Sequence, residues 1–500
     1  MRRTIPILLA GLLLWSCSRT QKLEPDTLYV ALGSQPSSLD PRFATDANGM
    51  RIAQLMFNSI VRIGPDLKVT GDAAESWTYK DLIYTFKLRE NLSFSNGRKV
   101  HPEDIQFSFE QYRLDNNPFH SALDLVNGVT AKDMGTHLQV KVRLKEYSAK
   151  LLTSDLPVVK ILPKEETLAA GADFAKQLIG TGSFSFDHQS ANEIVLKARK
   201  DHPYASPRVN RLIFKVIRDE FTRFQKTYKG SIDIAQAEIP LSKVIVFERR
   251  PEDFQVYKYP GLSMSYILVN LKDPLLQNLQ VRQALAHGLQ RDEIIKYKLE
   301  GLASPATAIL TPNNPFHDQD LNNLPFDLAK GKALLEQSQA SGKTLTLKTS
   351  NAQSAVENGK VLVNQLSQLG IKVVLQSFEW GTFYDDVRKG NFQLATMRWI
   401  GALDPDIYRI ALHSSETPPG RNRGQYVNSQ LDLLLEQGLK IADEGRRIAH
   451  YKKVQKIVLD DLPIIPLWYD GQVAIVNKRV KNYTPPLNGD FSPFVRVTKE

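Results

Sequence analysis

Apolar residues along this chain fall into two spacings, and their order lays out the architecture. Leu28, Val30 and Leu32 alternate as a strand that stops at Gly33, and a turn-rich stretch follows over 34–41. Ile52, Leu55, Met56 and Ser59 recur at helical spacing and predict a helix over 51–60, before Gly64, Pro65 and Asp66 punctuate a turn. Tyr84, Phe86 and Leu88 alternate again. Pro102, Glu103 and Asp104 open a helix whose inward face carries Ile105, Phe109 and Tyr112. A strand over 137–144 closes this group, which reads as an inserted subdomain ending near the glycine turn Gly180, Thr181, Gly182.

From Ile194 the pattern is strand, turn, strand, with strong alternation over 211–217, a helix over 220–229 and a strand over 232–234, a βαβ-like unit. A second large region starts near Tyr266, with helices over 281–289, 292–299 and 327–338. Next comes a strand over 344–349. Helix then strand occurs twice, over 356–369 and 371–375, and over 383–389 and 392–397, with Gly370 and Gly390 as helix stops. Helices over 430–439 and 443–459 lead into an apolar strand over 464–468. Alternating helices and strands predict an α/β fold.

The start of the chain has its own logic. Arg2 and Arg3, an apolar run over 5–14 and the order Leu14, Trp15, Ser16, Cys17 read as a lipoprotein signal over 1–16, with Cys17 as the lipid-modified first residue and 17–26 as a tether. Roughly ten apolar residues span only about 15 Å as a helix, half a bilayer core. Two or three acyl chains on Cys17 would hold the protein on a membrane, which places it outside the cytoplasm, in the periplasm or at the cell surface. Ser18 leaves the inner and outer leaflets both open.

About 480 remaining residues exceed one hydrophobic core, so two or three domains are expected. The net charge of +10 comes from basic residues interleaved with acids, the pattern of a solvated surface and not of a nucleic-acid stripe. Cys17 is the single cysteine, so neither disulfides nor thiolate metal sites are available. Nine histidines show no zinc-binding spacing, and no metal or cofactor is expected. Ser341, Gly342, Lys343 and Thr344 resemble the end of a phosphate loop, but Gln337 stands where its first glycine belongs. Asp385 with Asp386, and Asp460 with Asp461, are neighbours whose side chains point apart on a helix, so no catalytic residue is assigned.

Several segments, taken in order, resemble the extracytoplasmic solute-binding proteins of family 5, the peptide and nickel ABC-transporter group. They are Ser37-Ser38-Leu39-Asp40-Pro41; Ala74-Glu75-Ser76-Trp77 with 84–89; His101-Pro102-Glu103-Asp104-Ile105; and Gly180-Thr181-Gly182-Ser183-Phe184. Asn270-Leu271, Val281-Arg282-Gln283-Ala284-Leu285 and 462–467 complete the series. The resemblance implies a periplasmic-binding-protein-like fold of two α/β lobes joined by two crossings, near 262–270 and 468–477. Lobe I would comprise 27–50, 180–265 and 470–500, with 51–179 inserted, and lobe II 266–469. It further implies a monomeric, non-enzymatic receptor that closes on a short peptide and presents it to ABC permease subunits. Nickel chelates, haem, sugars and cell-wall peptides are alternative cargoes within the group, and an extracytoplasmic hydrolase or a surface adhesin is the alternative outside it.

In dipeptide and oligopeptide relatives an aspartate three residues after a tryptophan pairs with the ligand's amino group. Here that run is Trp399, Ile400, Gly401, Ala402, so the anchor position holds alanine, and Asp404 and Asp406 are the nearest stand-ins. The expected ligand contacts are Trp399, Asp404, Asp406 and Tyr408, with Trp380 and Tyr384 as apolar walls and Leu39 and Asp40 from the opposite lobe. Arg398, Arg421 and Arg423 are the guanidiniums available to a ligand carboxylate.

Overall fold

The computed structural model describes residues 24–418 and 420–500; the signal segment and Cys17 lie outside the described residues. Its frame is one long mixed sheet. In spatial order the strands are Lys372–Phe378, Thr344–Ser350, Leu394–Ile400, Phe254–Val269, Ile464–Asn477, Ile234–Gln236, Thr27–Leu32, Arg211–Val216, Glu193–Ala198 and Phe184–Gln189, with Ala303–Pro305 pairing beside Ile464–Asn477. A separate antiparallel sheet, Ala74–Lys80, Ile83–Leu88, Leu138–Leu144 and Val126–Asp133, lies in the inserted region. Its core is continuous with lobe I: Phe86, Ile105 and Val140 pack in one cluster with Leu28, Val30 and Phe214.

Two long strands, Phe254–Val269 and Ile464–Asn477, lie side by side in the middle of the sheet, run antiparallel and join the lobes. Their pairing is regular from Phe254 opposite Asn477 to Pro260 opposite Gly471, and resumes at Met264 opposite Tyr469. Three residues, Gly261, Leu262 and Ser263, therefore face Asp470 alone. A bulge of this kind breaks the ladder and bends the strand, which marks the hinge. Gly471 is required there, because a β-carbon would lie 1.5 Å from the carbonyl oxygen of Leu302.

Beyond the hinge, strand alternation splits the lobe II core onto two faces. Ile267 and Val269 join Leu345, Leu347, Leu394 and Ile465 on one side; Met264, Tyr266 and Leu268 join Phe383, Tyr408, Leu431 and Tyr451 on the other.

Helix starts follow their caps. Asp219, Asn278, Asp327 and Asp443 each accept a backbone N–H from the first turn of the helix they precede. The same rule corrects the helix expected over 51–60, which runs Ala47–Met56 because Asp46 caps it by accepting from Gly49 N, and Phe57 leaves it extended. Gly182 then donates to the Met56 carbonyl at 2.7 Å, so the glycine turn seals that helix end. The helix expected over 292–299 is a single α turn, Arg291–Glu293, followed by a wide turn over Ile294–Lys298. The strand expected over 464–468 continues to Asn477 as the second crossing.

Candidate ligand-binding cleft

Strand direction locates the cleft. In lobe I, Thr27–Leu32 is parallel to Arg211–Val216 and Ile234–Gln236, and Ile234–Gln236 runs antiparallel to Ile464–Asn477 as that strand leaves the hinge. The carboxyl ends at Leu32, Val216 and Gln236 therefore face the hinge. In lobe II, Thr344–Ser350, Lys372–Phe378 and Leu394–Ile400 are parallel, and the last is antiparallel to Phe254–Val269, so their carboxyl ends also turn to the hinge. Open α/β sheets bind ligands outside the carboxyl ends of their strands. Here two such edges confront each other across one hinge.

The lobe I rim carries Glu238, whose carboxyl burial pushes above the usual range while the nearby Arg223 opposes the shift. On the hinge itself, Asp470 accepts from Arg398 Nε at 2.7 Å, Trp468 Nε1 at 3.1 Å and Ser265 Oγ at 3.3 Å. Burial raises the Asp470 pKa, and Arg398 acts against it.

The lobe II edge brings together three of the expected residues. Trp399 stands next to last in Leu394–Ile400 and stacks on Tyr266, with ring centroids 6.2 Å apart and planes 10° apart. Trp380 and Tyr384, one turn apart on the helix Trp380–Lys389 that begins just after strand Lys372–Phe378, stack at 5.5 Å, and Trp380 remains 56% exposed. Arg423 Nη2 donates to the Tyr384 hydroxyl at 2.6 Å, while its guanidinium sits 4.7 Å from the Tyr384 ring centre.

The other expected contacts are spoken for. Asp404 is buried and receives Arg447 Nη2 at 2.8 Å and Nη1 at 3.1 Å, Thr153 Oγ1 at 2.6 Å and the backbone N–H of Asp406 at 2.9 Å. Its oxygens have no free capacity for a ligand ammonium. Asp406, also buried, pairs with Arg409 Nε at 2.9 Å. Tyr408 is fully enclosed in the lobe II core, where its hydroxyl accepts from Ile309 N at 3.1 Å. Across the hinge, Leu39 packs in the lobe I core and Asp40 holds Arg42 through Nε at 3.0 Å and Nη2 at 2.7 Å. Each of these five side chains is buried and engaged within the fold.

Thr153 gives Asp404 a different role. Thr153 lies in the inserted region of lobe I, so its bond to Asp404 joins the lobes without passing through the crossing strands. Ala149 N donates to the Leu439 carbonyl at 3.1 Å, and Lys440 lies 3.7 Å from Glu146, at the same contact. Asp155 belongs to it too: burial, with Asp406 and Asp404 adding like charge, pushes its carboxyl up to about 7 although Lys150 Nζ lies at 3.0 Å. Neither Thr153 nor Arg447 carried a sequence signal, being 251 and 43 residues from Asp404. Tyr266 was likewise invisible beforehand, because its alternation announced only a strand.

Residues 68–419 match the model of the bacterial extracellular solute-binding proteins, family 5. The chain belongs to that family. Di/tripeptide-binding protein 3 of Pseudomonas aeruginosa is 26% identical, over 99% of this chain and 98% of its own length. Among solved structures, the ABC transporter substrate binding protein CtaP of Listeria monocytogenes superposes with a TM-score of 0.86 at 22% identity, and the oligopeptide-binding protein AppA of Bacillus subtilis, in complex with a nonapeptide, with 0.81 at 22%; each covers 95% of this chain and 99% of its own. These likenesses establish the two-lobed fold. Family members capture solutes outside the cytoplasm and do not transform them, so the cleft is read as a binding site and not a catalytic one. No helix among the described residues is long and apolar enough to cross a membrane.

Proposed function

We propose that this protein is the substrate-binding component of an ABC importer, anchored to a membrane through lipid on Cys17, and that it captures short peptides by closing its lobes about the hinge at Gly261 and Gly471. The observation that carries the reading is the confrontation of two sets of parallel-strand carboxyl ends across two crossing strands. An extended peptide laid between them gains main-chain hydrogen bonds from exposed edges, while apolar walls such as Trp380 take side chains with little discrimination. Micromolar capture is worth about 8 kcal/mol, and that sum includes the work of closing the lobes. A monomer, with lobe I formed by 27–50, 180–265 and 470–500 around the insertion 51–179, and lobe II by 266–469, is the assembly that would present itself to the permease.

Isothermal titration with a pool of di- to pentapeptides, paired with small-angle scattering, tests the reading. Heat accompanied by a decrease in radius of gyration is expected; absence of heat with every peptide refutes it. A second reading, the same clamp tuned to a non-peptide solute, is favoured by one observation: Asp404 and Asp406, the carboxylates nearest the amine-anchor position, are both engaged by arginines. Heat with nickel–histidine, haem or a sugar, and none with peptides, would select it.

A further inference from the structure

Lobe II offers the cleft a cluster made of hydrogen-bond donors with no acid among them. Tyr266, Trp399 and Phe383 pack in one cluster, Trp380 touches both Phe383 and Tyr384, and Arg423 bonds to Tyr384, so the two pairs sit at the same lobe II face; the Arg423 charge acts on the Tyr266 hydroxyl. Burial raises the Tyr266 pKa, which keeps that phenol a donor. Two atoms in the group are buried without an acceptor among the described residues, Trp399 Nε1 and Arg423 Nε. Arg423 has no carboxylate partner among the described residues, whereas Arg409 and Arg447 in the same lobe each hold one. An unpaired buried N–H leaves a desolvation penalty of about 1 to 3 kcal/mol, more on a cation, and the group that removes it here must bring lone pairs and negative charge. Trp399 stands at the carboxyl end of its strand, next to the hinge, and Trp380 is exposed beside Tyr384, which places the group at the lobe II edge of the cleft.

We propose that Arg423 and the Trp399 indole N–H, framed by Tyr266 and Tyr384, form a carboxylate subsite, so that lobe II holds its cargo by an acidic end and not by an ammonium. The inference rests on the reading of the cleft as a solute trap, and it narrows that reading to solutes carrying a carboxylate. The position that an amine-binding aspartate would occupy is Ala402, and the acids beyond it, Asp404 and Asp406, are engaged by Arg447 and Arg409.

The test compares four probes: trialanine, N-acetyl-trialanine, trialanine amide and glutarate. Binding is read by titration calorimetry and by the indole N–H resonance of Trp399 in protein labelled at tryptophan, assigned with W399F. Trialanine, its acetylated form and glutarate are expected to move that resonance, and the amide is not. R423Q and W399F, the latter keeping an aromatic ring but losing the N–H, are each expected to weaken N-acetyl-trialanine binding about tenfold or more, with R423K recovering part of the loss. If the three peptides give no heat while glutarate moves the resonance in an Arg423-dependent way, the peptide reading fails and the subsite stands. If the amide binds as well as the acid, if both variants bind like the parent, or if no carboxylate moves the resonance, the subsite is refuted.

Discussion

Replacing Asp404 by Asn separates its structural role from the ligand-binding role that its place after Trp399 had implied. The Asp404 and Arg447 side chains are 3% and 5% exposed, and their two hydrogen bonds at 2.8 and 3.1 Å make a bidentate pair. Removing one member of a buried pair leaves the other charge uncompensated, at about 3 to 5 kcal/mol. An Asn keeps its one oxygen for the Asp406 N–H and turns its amide N–H toward the Thr153 hydroxyl, which can still donate to the Lys150 carbonyl, so the lower end, about 3 kcal/mol, is expected; this lowers the folded-to-unfolded ratio by about 150-fold. Urea unfolding followed by tryptophan fluorescence should show the midpoint shift in D404N, and R447Q should reproduce it. A double-mutant cycle should return a coupling above about 1.5 kcal/mol, since each single change already breaks the same pair. A D404N protein that unfolds like the parent but has lost ligand binding would overturn the argument and return Asp404 to the site.

Asp155, held up to about 7 against an ordinary value of 3.8, binds its proton in the folded protein while the unfolded chain has released it. Stability from this group is therefore complete below about pH 4 and declines as pH rises to 7, by a total on the order of 4 kcal/mol; D155N should match the parent at pH 4 and unfold at higher urea at pH 8, and equal midpoints at pH 8 would contradict this. His202 works in the opposite sense: burial and Arg199 lower it to about 4, its Nδ1 accepts from Ala205 N at 3.1 Å and its Nε2 lies 3.1 Å from the Thr181 carbonyl, so stability present above pH 6.5 falls as pH drops toward 4. H202Q should flatten that part of the profile, and an unchanged acid slope would refute the assignment. Gly471→Ala, with its β-carbon 1.5 Å from the Leu302 oxygen, must displace the strand Ala303–Pro305 from the second crossing, and should lower the thermal midpoint by several degrees; an unshifted midpoint would show that the hinge yields freely.

The residues that carried the family resemblance explain why the fold was legible in the sequence and most of the site was not. Arg282, from the Val281-Arg282 signature, donates to the carbonyls of Leu276, Gln277 and Asp461, pinning the start of one helix to the end of another. Asn270 donates to the carbonyls of Gly390 and Phe392, and Gly182 to that of Met56. Such residues satisfy backbone groups that have no other partner, so their spacing in the chain reports architecture directly. A ligand contact obeys no comparable local rule. Asp404 and Trp399 are five positions apart, yet one is locked by Arg447 and by Thr153 of the other lobe, while the other ends with its indole N–H unpaired beside Arg423. What decided between them was partner supply, the number of cations that distant segments bring to each acid and of acids they bring to each cation. Asp404, Asp406 and Asp40 each found an arginine; Arg423 found none among the described residues. In a protein whose work is to hold a guest, the groups the fold leaves unsatisfied at the cleft are the ones available to the guest, and at the Trp399 and Arg423 edge of lobe II those are donors.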